Sequence, residues 1–477
     1  MNTLQNADEI WSLIESKREK FFELSDRIWS TPELNFEETL SSAEQARLLE
    51  QEGFEVLGGV AGLPTAIMAA AGTDGPVIAF LGEFDALPDL SQEAGVAEHR
   101  PLGVSRPGHA CGHNLLGSGA MQAAVAVRDY LVRHGIKGRV RYYGCPAEEG
   151  GSGKGYMVRA GVFDNVDAAI TWHPAPFAGI ANPVTLSCNE INFHFVGRSS
   201  HAAASPHLGR SALDAVELMN VGVNYMREHM PSQARIHYAI TDTGGHAPNV
   251  VQANATVRYV VRGTDPIELK SLVARVMKIA EGAALMTETT VSHRYLTGEA
   301  SMLGNEALEN LMFNHLERLG PPLFDEEDQA FAAKIQATFS PDNVKSAYLN
   351  AGLKAKTGVA LCDVVVPPRS GNASMIGSTD VGNVSWIVPT VELRGATHAI
   401  GTPGHSWQIT AQGKMPAAHK GMEHAAKVMA STGLELILNP EALKRVQEEH
   451  RLQLKETPFI DPLPPDAIPD LPEHRSR

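Results

Sequence analysis

The sequence predicts an α/β protein, built as a larger unit with a mixed, mainly parallel sheet into which a compact α+β unit is inserted. Three observations carry this. Up to about residue 185, apolar runs of strand length alternate with helix-length amphipathic stretches, the pattern of a layered α/β fold. The order then changes to strand, helix, two strands, helix and strand, a split βαβ unit of the ferredoxin-like kind. After about residue 297 the chain returns to helices, loops and a last apolar run, completing the first unit. At 477 residues the chain exceeds a single unit of roughly 100–200 residues, and the predicted division is 1–186 with 298–477 for the larger unit and 187–297 for the insert.

Ile10, Leu13, Ile14, Phe21, Phe22, Leu24 and Ile28 recur at helical spacing and predict one amphipathic opening helix that stops before Pro32. A helix over 37–51 and buried strands over 65–71 and 77–81 follow, the second strand running into the loop Gly-Glu-Phe-Asp-Ala-Leu-Pro that ends at Pro88. A small-residue-rich helix over 117–134 and buried strands at 140–143 and 168–170 complete the first stretch. The insert reads as strands 190–196, 234–241, 254–261 and 289–294 with helices 211–228 and 266–285. Beyond it lie a helix over 325–338, within a segment 303–350 expected to cover a substrate pocket, and a Gly/Ser-rich stretch over 369–382. The apolar run 384–388 and a helix over 417–431 finish the larger unit. The tail from Thr457, with Pro458, Pro462, Pro464, Pro465, Pro469 and Pro472, is expected to be extended, partly disordered and without chemistry.

Hydrophobic residues at 43% and charged residues at 20% are globular values, with ample apolar material for a core. A formal net charge of −15 argues against a nucleic-acid partner, which needs a clustered excess of Lys and Arg. The cysteines Cys111, Cys145, Cys188 and Cys362 lack the paired spacing of a disulfide framework or a zinc knuckle. With no secretion-signal pattern at the start and no apolar run of about 18 residues, a soluble cytoplasmic protein without a membrane partner is expected.

The chemistry-bearing residues fall in a few short fragments. In Gly-His-Ala-Cys-Gly-His-Asn, ending at Asn114, Gly112 lets Cys111 and His113 converge on one ion, while His109 reads as structural. In Cys-Pro-Ala-Glu-Glu-Gly-Gly, ending at Gly151, Glu148 and Glu149 follow a buried strand, where α/β proteins place their sites. Like charges there call for a cation, so that one Glu ligates and the other acts as general base. The adjoining Gly-rich stretch through Lys154 and Gly155 fails as a phosphate loop, because Glu148 stands where its first Gly belongs. His173 ends an apolar run, and His405 lies in Gly-Thr-Pro-Gly-His-Ser-Trp before the last long helix. Each fragment alone also reads as structural; together they supply a Cys, a Glu and three His, enough for two metals sharing a water. Asp85 either orients a ligating His or caps a turn. His201 sits in a Ser/Ala-rich turn of the insert, and Asn249 lies in a Gly-rich loop as a possible polar contact.

In this order the fragments resemble the M20 metallopeptidase/amidohydrolase family, and within it the aminoacylase-like branch marked by a Cys-Gly-His loop. The resemblance implies a zinc-peptidase-like catalytic unit and an inserted dimerisation, or lid, unit. It implies Cys111, His113, Glu149, His173 and His405 as ligands of two divalent ions, Mn²⁺ or Zn²⁺ with Co²⁺ or Ni²⁺ also suitable, and Glu148 as catalytic base. His201 would reach a neighbouring subunit's active site, and Arg262, after a strand as in the family's lid, would meet a substrate carboxylate in competition with Arg198 and Arg210. Longer strings, such as Tyr-Gly-Cys-Pro-Ala-Glu-Glu-Gly-Gly-Ser-Gly-Lys and Ser-Thr-Asp-Val-Gly-Asn-Val-Ser-Trp, are similar to those of members that hydrolyse p-aminobenzoyl-glutamate. The expected reaction is therefore amide hydrolysis of an N-acyl amino acid, with p-aminobenzoyl-glutamate first, in a homodimer or a heterodimer with a related subunit. A dipeptidase, hydrolysis of indoleacetyl- or benzoyl-amino acids, and a non-catalytic subunit are the alternatives. The chain departs from the branch at Asn114, Glu83 and the pair Thr379-Asp380, where most members carry Asp, Asp and Glu-Asp.

Overall fold

The computed structural model describes residues 3–369 and 377–474. Part of the Gly/Ser-rich stretch, 370–376, and the last three residues of the tail lie outside the described residues. In the larger sheet the strands in chain order are β1 Glu55–Gly58, β2 Ile67–Ala71, β3 Val77–Glu83, β4 Arg139–Cys145, β5 Ala168–Ala175 and β6 Ala178–Ile180. Next come β7 Ser187–Val196, β8 Arg235–Asp242, β9 Asn254–Gly263 and β10 Thr290–Glu299 of the smaller sheet, then β11 Val365–Val366 and β12 Thr390–Ala396 of the larger.

The eight-stranded sheet has the order β1-β2-β4-β3-β5-β12-β6-β11. Its centre, β4-β3-β5-β12, is parallel throughout, and the antiparallel pairs lie outside that centre. Strand β3, Val-Ile-Ala-Phe-Leu-Gly-Glu, is buried along its whole length because helices cover both faces. The helices His113–His134 and Pro416–Leu438 pack on one face around Trp172, Met121, Met422 and Phe80. Glu83, Cys145 and Ala175 end their strands on the same edge, so the loops that follow meet beyond the carboxyl ends of the parallel strands.

The four-stranded sheet is antiparallel with the order β10-β7-β9-β8. Helices Ala212–Met226 and Pro266–Thr287 bury one face of it around Phe193, Phe195, Val257 and Val276. Strand β8 is an edge strand and is exposed from His237 to Asp242. Among the described residues no helix is long and apolar enough to cross a membrane.

The structure corrects the sequence reading in three places. The opening helix is two helices, Thr3–Ser16 and Arg18–Ser30, broken at Lys17, whose ammonium pairs with Glu52 and Asp129. The apolar run 384–388 is not a strand: its start belongs to the helix Val381–Ser385, and the strand begins after Pro389 as β12. A short apolar run carries no periodicity that separates strand from helix. The tail is extended but ordered through His474, with Leu463 and Leu471 buried. It bonds the first unit through Arg159 to Asp461 (2.8 Å), and the smaller sheet through Asn189 to the Pro462 carbonyl (3.2 Å) and Arg294 to the His474 carbonyl (3.0 Å).

Candidate metal centre

Gly112 has φ +81°, and a Cβ there would stand 3.0 Å from the Pro174 ring, so the turn between Cys111 and His113 needs glycine. His113 opens the helix His113–His134 and points its Nδ1 at Asp85 Oδ1, 2.9 Å away. A carboxylate only accepts, so Nδ1 carries a hydrogen, and in the neutral ring that a metal ligand must be Nε2 presents a lone pair. His173, on β5, is fixed in the same tautomer by donating from Nδ1 to the Pro174 carbonyl at 2.8 Å. Its Nε2 lies 3.3 Å from Cys111 Sγ. Asp85 does a second job: its Oδ2 accepts the backbone N–H of Glu149 at 2.9 Å, tying the carboxylate loop to the histidine loop.

Glu149 reaches across the centre, with Oε2 3.4 Å from His405 Nε2 and Oε1 3.9 Å from His113 Nε2. His405 is held at φ +49°, a conformation costly for a residue with a Cβ, in the loop after Gly404. Cys111, His113 and His173 place ligand atoms within 4.8 Å of one another, and so do Cys111, Glu149 and His405. The structure thus brings together all five residues that the sequence nominates as ligands.

These groups fit a cation. His113 Nε2 and Glu149 Oε1 are buried without a hydrogen-bond partner. Burial, and then the charge of Glu149, push the Cys111 thiol up. Burial, and then the Glu83 and Glu149 charges, push Glu148 well above the carboxylate range. Burial, and then Arg394, hold His173 well below the usual imidazole range, leaving it neutral as a ligand must be. Glu83, Asp85, Glu148 and Asp380 crowd about the Lys154 ammonium with Glu149 beside Glu148, an excess of acidic groups that divalent ions neutralise.

Glu148 follows Ala147, whose φ of +57° is stabilised by a hydrogen bond from its N–H to the buried Glu38 carboxylate at 2.9 Å. His109 is structural as read, with Nε2 3.1 Å from the Ile28 carbonyl oxygen. The sequence reading missed four participants. Glu83 and Lys154 pair at 2.7 Å and Lys154 and Asp380 at 2.6 Å, in full burial. Their signals were Glu83 as a departure from the branch and a lysine inside a failed phosphate loop. Arg394 is the fourth: it pairs in register with His173 across β12 and β5, and its guanidinium lies 2.8 Å from Glu392. Two charged residues alternating on an otherwise buried strand were the available signal.

A cavity of about 810 Å³ opens on the cluster, walled by Asn182, Asn343, Ser346, Arg369, Glu392 and Arg394 among others. The helices Glu306–Leu319, Glu326–Gln336 and Pro341–Asn350 make up much of the 303–350 segment, and the last of them lends Asn343 and Ser346 to the wall. Arg262 is not among the lining residues; its guanidinium donates to Ser378 Oγ at 2.6 Å, and Ser378 lines the cavity. His201 and Asn249 lie beside each other in the smaller-sheet unit, the Ala202 N–H donating to the Asn249 carbonyl at 2.9 Å. Neither lines the cavity. His201 is exposed, and its Nδ1 accepts from the Ala203 and Ala204 N–H groups, which leaves Nε2 turned outward.

Residues 79–391 match the profile of Peptidase family M20/M25/M40. The chain is 46% identical over 466 residues to the B subunit of the p-aminobenzoyl-glutamate hydrolase of Escherichia coli (strain K12), covering 96% of this chain and 97% of that one. It is 29% identical over 467 residues to the Xaa-Arg dipeptidase of Mus musculus, covering 94% and 93%. Its fold is similar to that of the Bacillus subtilis YXEP protein, described as a dinuclear metal-binding peptidase from the M20 family, with TM-score 0.54, 18% identity and 89% and 99% of the two chains covered.

Proposed function

The chain belongs to peptidase family M20/M25/M40 and is a hydrolase; from that premise we propose that it cleaves the amide bond of an N-acyl amino acid, p-aminobenzoyl-glutamate first among them. The observation that carries the reading is the convergence of Cys111, His113, Glu149, His173 and His405 beside the carboxylate of Glu148, which lines the cavity. In this reading the five residues hold two divalent ions, Mn²⁺ or Zn²⁺, with Co²⁺ or Ni²⁺ able to replace them. When bound, the ions acidify water and polarise the scissile carbonyl.

Glu148 takes the proton of the attacking water and delivers it to the leaving nitrogen. Its buried, electronegative setting favours a held proton, which suits the second half of that task. Asp85 keeps the His113 ring in its ligating tautomer. Arg262 positions Ser378 at the wall, and Arg394 on the floor beside His173 faces the carboxylates of the amino-acid product. The insert, 187–297, is assigned to association with a second M20 chain, itself or a related one, whose active site His201 enters as oxyanion donor with Asn249 beside it; that the Escherichia coli relative is named as one of two kinds of subunit supports a pair. The free cysteines accord with a cytoplasmic setting.

Dipeptidase action is the second reading, favoured by Glu392 and Asp342 in the cavity wall, which suit a cationic substrate group, and by the name of the mouse relative. The test is release of p-aminobenzoate from p-aminobenzoyl-glutamate by protein loaded with Mn²⁺ or Zn²⁺, measured by chromatography beside Glu148→Gln. Release that falls by roughly 10²–10⁴-fold in the variant supports substrate and base together. No release from this substrate, with turnover of Xaa-Arg dipeptides, moves the assignment to the second reading. Full activity in Glu148→Gln overturns the mechanism.

A further inference from the structure

The centre contains a donor beyond the five residues discussed above. Glu83, the last residue of β3, is 2% exposed and divides its two oxygens between opposite partners. Oε1 accepts from Lys154 Nζ at 2.7 Å, and Lys154 in turn is held by Asp380 through both its ammonium, 2.6 Å, and its backbone N–H, 2.8 Å. Oε2 faces His113 Nε2 at 3.3 Å, and neither atom has a hydrogen-bond partner. With the His113 hydrogen on Nδ1, these are two lone pairs turned toward each other in full burial. Such a contact is repulsive with a neutral ring unless a cation lies between or beside the two atoms, and the other relief, a proton on Nε2, makes no hydrogen bond to Oε2 in this geometry.

We propose that Glu83 is a metal ligand, its Oε2 binding the same ion as His113 Nε2, with Lys154 and Asp380 as positioning residues that fix the carboxylate. This rests on the reading of the cluster as a metal centre. Glu83, His113 and Glu148 offer atoms within 4.8 Å of one another, and the two carboxylates are distinguished by access. Both line the cavity, but Glu83 is almost wholly buried, locked from behind by Lys154 and turns only one oxygen to the centre, whereas Glu148, half-buried on the strained loop after Ala147, can meet substrate. A glutamate suits the post because its added methylene carries the oxygen past the strand end while its other oxygen stays with Lys154. The clamp also removes the rotamer freedom that ligation would otherwise have to freeze.

The test is metal binding by the whole protein, measured by Zn²⁺ titration calorimetry, bound-metal content and the visible spectrum of the Co²⁺ form. Glu83→Gln keeps the size of the side chain and leaves Lys154 paired with Asp380. The expected result is that wild type binds two ions, while Glu83→Gln loses one or binds it at least about 100-fold more weakly, with a changed Co²⁺ spectrum. Should Glu83→Gln fail to fold, Glu83→Asp keeps the charge opposite Lys154, withdraws the oxygen from His113, and carries the same expectation. Two ions bound with unaltered affinity and spectrum in the folded variant overturn the proposal. A wild-type protein that binds no divalent ion overturns the metal centre itself, and so separates the two failures.

Discussion

One carboxylate, Asp85, sets the state of His113: Oδ1 stands 2.9 Å from the ring Nδ1, while its other oxygen holds the Glu149 backbone. A candidate ligand at the start of the helix His113–His134 and another in the loop after β4 are thereby positioned by the same side chain.

Asp85→Asn is expected to weaken divalent-ion affinity by roughly 10–100-fold, because an amide can offer N–H to Nδ1 and reverse the tautomer. Titration calorimetry with Zn²⁺ on wild type and variant measures it. Unaltered affinity would show that His113 does not depend on Asp85.

Arg394→Met is expected to raise KM for p-aminobenzoyl-glutamate by about 10–100-fold with a smaller change in kcat, the loss of a hydrogen bond between charged groups amounting to roughly 1.5–3 kcal/mol. Steady-state kinetics separate the two constants. A fall in kcat alone would place Arg394 with the His173 electrostatics rather than with substrate.

Glu38 gives a pH prediction. Burial, and then the Asp85 charge, push it up to about 8 from an ordinary 4.5. The unfolded chain releases this proton near pH 4.5 while the folded chain keeps it, so this group's contribution to stability declines as pH rises from about 4.5 to about 8 and is level above. Glu38→Gln can still accept from the Ala147 N–H and lacks the titration. Urea unfolding at pH 5.5 and 8 is expected to show a smaller loss of stability in the variant; equal losses would remove Glu38 from the account.

Leu463→Ala is expected to cost about 2–5 kcal/mol, the range for a buried leucine, and to lower Tm measurably. A change inside error would mean that the tail is not part of the packed molecule.

Ile240→Glu, on the exposed edge strand β8, is expected to weaken the proposed association through the insert with little change in Tm, since Ile240 is 40% exposed and β8 offers an unpaired edge. Analytical ultracentrifugation reads the association, and p-aminobenzoate release should fall with it if His201 acts across the pair as proposed.

The cluster was legible where chemistry and local backbone coincide. Cys111, Gly112 and His113 announce a tight ligating turn, and Glu148 and Glu149 stand between a buried strand and glycines. What escaped were relationships between distant positions. Lys154 and Asp380 are 226 residues apart and meet only because the sheet brings their loops together. Arg394 was hidden by assigning the nearby apolar run to a strand, when that run closes the helix Val381–Ser385 and the strand starts after Pro389. The break at Lys17 followed from the Glu52 and Asp129 carboxylates, which a periodicity count does not see. The strands and helices between Ser187 and Glu299 lie close to where the sequence puts them, because alternating strands and evenly spaced helices are short-range patterns.

The tail carries a mechanical consequence. The smaller sheet joins the rest of the molecule through β7 and β10, which are paired side by side, and two adjacent crossings make a hinge about one line. The bonds of Asn189 on β7 and Arg294 on β10 to the tail, itself tied back through Arg159, add a third chain segment across that joint. A joint strapped by a third segment resists swinging more than two strands alone, so the tail works as a brace, and cutting it would loosen the insert.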